Sequence, residues 1–114
     1  MSQLNLNLAQ GSIKFNFPFK AAQVLKGEIN DLMQSLKRVA SKINNGEQKK
    51  AEKSLDYQHS GEVFVEIFCN PNIYPTPFAA KVLLTIKNEE IRFSTETELT
   101  RVVDDLKQYL DQFS

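Results

Sequence analysis

Residues 4–17 read LNLNLAQGSIKFNF, with a large apolar side chain at almost every second place on both sides of Gln10-Gly11. Strand side chains alternate between two faces, so two such runs joined by a bend predict an antiparallel hairpin with one oily face. With Gln10-Gly11 as a two-residue loop, Leu8 faces Ile13, Leu6 faces Phe15 and Leu4 faces Phe17, while Asn5, Asn7, Lys14 and Asn16 take the other face. Glycine supplies the positive φ that tight hairpin bends require. Pro18 lacks a backbone donor and closes the second strand.

From Ala21 the period changes. Leu25, Ile29, Leu32, Leu36, Val39 and Ile43 recur at intervals of four and three, which predicts a long amphipathic helix ended by Asn44-Asn45-Gly46. Its apolar stripe suits packing on a sheet or, as a short seam, on a second helix. Residues 44–61, NNGEQKKAEKSLDYQHSG, are polar and charged and predict a mobile linker. The linker joins two halves of one sheet, because neither half has strands enough to fold alone. A strand with apolar residues on both faces follows at 62–68, EVFVEIF.

Prolines at 71, 75 and 77 make the next segment an ordered loop or a polyproline-like stretch. A second hairpin, with Asn88-Glu89 as its loop, would set Lys87 against Glu90, Ile86 against Ile91 and Leu84 against Phe93. Thr95 and Glu98 form a capping box, so the last helix is predicted to start at Thr95 and to bury Leu99, Val102, Val103 and Leu106. The order is β-β-α-β-β-β-α. The simplest architecture is one α+β domain over 1–114: an antiparallel sheet of about five strands with both amphipathic helices packed mainly on one face. The helix, three strands and helix of this order are similar in topology to ribosome-hibernation proteins; the likeness implies no residue roles.

Size permits a true core, since a chain of 114 residues buries about two-thirds of its unfolded surface. Fourteen basic and fourteen acidic side chains balance, so no global field favours nucleic acid or an anionic membrane. No apolar run approaches the roughly 18 to 20 residues that span a bilayer. The polar Ser-Gln start and a single cysteine lead us to expect a cytosolic protein without disulfides or membrane contact.

Chemistry has few candidates. His59 stands alone in a polar stretch, Cys69 follows an apolar strand, and no phosphate-binding glycine pattern or metal-ligand spacing is present. The acidic pairs Glu89-Glu90 and Asp104-Asp105 diverge in space and read as solubilising charge. We therefore expect no catalytic, cofactor or metal residues, and no enzyme. Two features point to binding instead. In the proline loop, Ile73, Tyr74 and Phe78 sit on stiffened backbone suited either to a protein partner or to capping the core. Over 37–53, Lys37, Arg38, Lys42, Lys49, Lys50 and Lys53 oppose two acids, whereas 89–114 carries seven acids against three bases. The first expectation is a protein-binding, assembly or regulatory protein, with a homodimer through a free strand edge or the long helix as a further possibility. The alternative is a ribosome- or RNA-associated regulator using the basic 37–53 segment, although no aromatic residues interleave with its lysines.

Overall fold

The computed structural model describes residues 2–46 and 51–113. Strands β1 (Gln3–Leu8) and β2 (Gly11–Asn16) form the first hairpin, and helix α1 (Phe19–Asn44) follows. Strands β3 (Leu55–Ser60), β4 (Phe64–Cys69), β5 (Lys81–Lys87) and β6 (Arg92–Glu98) then build an antiparallel meander, and helix α2 (Leu99–Phe113) ends the chain. The class is α+β, as the periodicities predict, but the six strands divide into a two-stranded and a four-stranded sheet.

Both hairpins are slid by two residues from the predicted pairing. In the first, Leu4 pairs with Phe15, Leu6 with Ile13 and Leu8 with Gly11, leaving Ala9-Gln10 as the loop. The reason lies in Gly11, which begins β2 with φ at 133°, while among the described residues no non-glycine residue has positive φ. The bend thus places its one unusual backbone conformation at the glycine. A slide of two keeps every side chain on its face, so Leu4, Leu6, Phe15 and Phe17 are buried as the alternation requires.

In the second hairpin Ile86 pairs with Phe93 and Lys87 with Arg92. The four-residue bend is closed by the Asn88 side chain, whose Oδ1 accepts the backbone N–H of Glu90 and of Ile91, each at 2.9 Å. This local bond set outweighs the predicted Ile86–Ile91 contact and leaves Ile91 exposed.

Helix α1 starts directly after Pro18, whose fixed φ of −63° and donor-free nitrogen suit that position. Leu25, Ile29, Leu32, Leu36 and Val39 are buried as predicted, whereas Ile43 emerges in the last turn. Gly46 stops the helix at φ 68°, donating its N–H to the Ile43 carbonyl.

Two predicted boundaries are corrected. The polar segment 44–61 is not all linker, because β3 occupies its last part. Leu55 and Tyr57 alternate with Asp56, Gln58 and Ser60, and Tyr57 is buried with its hydroxyl donating to the Ala21 carbonyl. The last helix starts at Leu99, not Thr95, since Thr95 and Thr97 are β-branched and pair with Leu84 and Val82 in the sheet. The Leu99 N–H, donated to the Ala80 carbonyl, marks the turn from strand into helix.

One core joins these parts. Leu55, Tyr57, Val65, Ile67, Val82, Leu84 and Ile86 line the inner face of the meander and pack with the hairpin, α1 and α2 in a single cluster. Phe64, Glu66, Phe68, Leu83 and Lys87 occupy the opposite face, with Leu83 half-exposed and the Lys87 ammonium 4.8 Å from the Phe64 ring centre. Among the described residues no helix is long and apolar enough to cross a membrane.

Candidate protein-docking surface

The proline segment folds as two short 3-10 turns, Pro71–Ile73 and Pro77–Ala79, each with proline in its first positions and a polar side chain before it. The Asn70 side chain accepts the Asn72 N–H at 3.1 Å, and the Thr76 hydroxyl accepts the Ala79 N–H at 3.2 Å. Such caps satisfy donors that a short turn leaves open. Asn72 also binds residue 52 twice, accepting its N–H at 2.7 Å and donating to its carbonyl at 2.8 Å. An isolated loop is thereby fastened to the chain that follows α1.

The structure divides the three predicted contact residues between two roles. Tyr74 packs against the core and donates its hydroxyl to the Lys81 carbonyl at 3.2 Å, while Pro71 is fully buried. Burial accordingly holds the Tyr74 phenol above its ordinary pKa. Ile73 and Phe78 point the other way and are 65% and 81% exposed. Phe78 shares an open groove of about 350 Å³ with Lys81, Glu96, Glu98 and Arg101. Lys81 and Glu96 stand 3.8 Å apart across its floor, and Glu98 accepts from Arg101 at 3.1 Å. The surface thus combines apolar projections with charges of both signs.

Among the described residues the basic segment does not gather into a cradle. Arg38 is committed to Glu52, with Nη2 at 2.9 Å from Oε1 and Nε shared between both oxygens at 3.2 Å, and it also donates to Ser35. Hydrogen bonding to Arg38 holds the Glu52 carboxyl below its ordinary pKa. Arg38 and Lys53 line a groove of about 490 Å³ between α1 and β3, where Glu28, Asp31 and Asp56 surround them. Lys37 is exposed on α1 and Lys42 is partly covered near its end, while Lys49 and Lys50 lie outside the described residues.

His59 and Cys69 stay apart. In the β3–β4 ladder Leu55 pairs with Cys69 and His59 with Val65, which sets the two four residues, roughly 13 Å, apart along the strands. His59 stacks edge-on against Phe17 at 5.3 Å, and Gly61 lies so close that an added Cβ would come within 2.8 Å of its Nε2. Cys69 is buried, and desolvation pushes its thiol up to about 11. Among the described residues no group of His, Cys, Asp and Glu is arranged to hold a metal ion.

Asp105 escapes the sequence reading. Half of an apparently solubilising pair, it is buried and accepts the Asn7 N–H at 2.7 Å and the Asn7 side-chain amide at 2.9 Å. Its one signal in sequence is position: Asp105 follows the Leu99, Val102 and Leu106 stripe closely enough to lie on its border. Comparison with family models, with curated proteins and with solved structures finds no match to this chain.

Proposed function

We propose that this chain is a non-enzymatic cytosolic binding or assembly protein that seats a protein partner on Ile73 and Phe78. The observation that carries this reading is the exposure of two large apolar side chains on backbone held by prolines, by Tyr74 and by Asn72. Ordering a flexible contact residue costs about 0.5–1.5 kcal/mol on binding, and a pinned loop has already lost much of that freedom. Apolar anchors on such a loop are suited to act as binding hot spots. The basic segment supports an RNA-associated role less well, because its arginine is paired and Lys53 lies beside Glu28, Asp31 and Asp56.

Affinity purification from the native cell, with nuclease treatment in parallel, tests the reading. A protein partner should survive nuclease and moderate salt, and Ile73→Ala with Phe78→Ala should weaken its capture about 30-fold or more while the melting temperature stays unchanged. Partners lost on nuclease treatment and on raising salt would favour the basic segment instead.

A further inference from the structure

The four-stranded sheet ends in β6, a seven-residue strand whose outer edge pairs with no other strand among the described residues. Exposed edges invite pairing with another chain, and natural proteins usually blunt them with lysine, proline, bulges or a covering element. Two of the other edges follow that rule: Asp105 takes the Asn7 N–H at the side of β1, and Lys14 stands exposed in the middle of β2. β6 contains no lysine, proline or bulge, its register with β5 running unbroken from Arg92 to Glu98, and its three exposed charges, Arg92, Glu96 and Glu98, are of both signs.

Its sequence, RFSTETE, is moreover complementary to itself when reversed. In an antiparallel pair centred on Thr95, Arg92 faces the partner's Glu98 at both ends, Phe93 faces the partner's Thr97, and Ser94 faces the partner's Glu96. Even-numbered residues of both copies then share the outer face, and odd-numbered residues the inner one, as strand geometry demands. Neighbouring registers that keep this parity are poorer. Sliding two residues one way sets Glu96 against its own copy; sliding two the other way exchanges Arg92–Glu98 for Arg92–Glu96 but leaves Glu98 opposite the bend beyond Arg92, and either slide shortens the seven-residue ladder to five. Like charges directly opposite destabilise a ladder, whereas opposite charges support it.

We propose that two copies of this chain pair through β6 about a two-fold axis at Thr95, joining their meanders into one eight-stranded sheet. The two-fold doubles each favourable contact, so two Arg92–Glu98 pairs fix the register. The pairing does not engage Ile73 or Phe78, although Glu96 and Glu98 also border the groove beside Phe78.

The test is light scattering of the full chain over a dilution series, together with site-specific cross-linking. The wild type should pass from monomer to dimer as concentration rises. Arg92→Glu or Glu98→Arg alone should weaken the dimer about tenfold by placing like charges opposite twice over, and the combined reversal should restore it. Circular dichroism melts check that each variant folds. Because opposed Cα atoms in an antiparallel pair lie about 4.5–5.5 Å apart, within disulfide reach, Thr95→Cys should cross-link to its own copy under mild oxidation. Phe93→Cys should not, since it faces position 97. A wild type that stays monomeric at every concentration, a double reversal that fails to restore the dimer, or equal cross-linking at 93 and 95 would each overturn the proposal.

Discussion

A carboxylate that looks like surface charge, Asp105, is buried against the outer side of β1 and holds Asn7 through both its backbone and its side chain. Charge-assisted bonds of this kind contribute about 1.5–3 kcal/mol each, and their loss leaves polar groups without partners. Asp105→Ala should therefore lower stability by about 2–3 kcal/mol in urea unfolding, and Asp105→Asn by less, because the amide oxygen still accepts one bond. Cys69 gives a second residue-scale outcome. Burial raises its thiol from 9.0 to about 11, so the folded chain keeps the proton more tightly than the unfolded one. Its contribution to stability is fully present below pH 9.0 and is lost as pH rises toward 11, and a thiol reagent at neutral pH should label Cys69 only after unfolding. Burial of the thiol follows from its place directly after an apolar strand, whereas burial of the carboxylate depends on which distant element packs over it.

At the scale of elements, alternation was enough to identify both hairpins and the face each residue takes, and the 3.6 period was enough for both helices. Registers were not legible to the same degree, because a bend can move by two residues without changing a single face. At Gly11 the preference of glycine for an unusual φ decided the matter, and at Asn88 a side chain bonding its own backbone did. β3 was hidden because Gln58, His59 and Ser60 resemble a linker, and the start of α2 was displaced because a good capping sequence, Thr95 to Glu98, makes more bonds as a strand. Glycine substitutions separate these contributions. Gly27→Ala, in the exposed middle of α1 with nothing within 4 Å of an added Cβ, should stabilise by about 0.5–1 kcal/mol. Gly11→Ala is equally free of clashes but sits at φ 133°, so it should destabilise by about 1 kcal/mol or more; thermal melts distinguish the two signs.

Across the whole molecule, hairpin and helices all lie on one side of the meander, which leaves the other side open with Phe64, Phe68 and Leu83 among charged neighbours. That asymmetry could be read from the alternation of β4 and β5 only in part, since EVFVEIF is apolar on both faces. The proline loop shows the same limit. Composition alone could not divide Ile73, Tyr74 and Phe78 between core and solvent, because the division depends on where β5 places the Lys81 carbonyl. The charge asymmetry of the chain was legible in full, but its use was not: Glu52 binds Arg38 across the 37–53 segment and offsets the charge of its only guanidinium.

All three tyrosines end in the same way, each phenol donating to a main-chain oxygen: Tyr57 to Ala21, Tyr109 to Phe17 and Tyr74 to Lys81. Since the chain contains no tryptophan, its near-ultraviolet absorbance and emission are dominated by these groups. Two of them grip the joint around Pro18 from either side and the third sits beneath the proline loop, so intrinsic optical signals act as a built-in gauge of those two places.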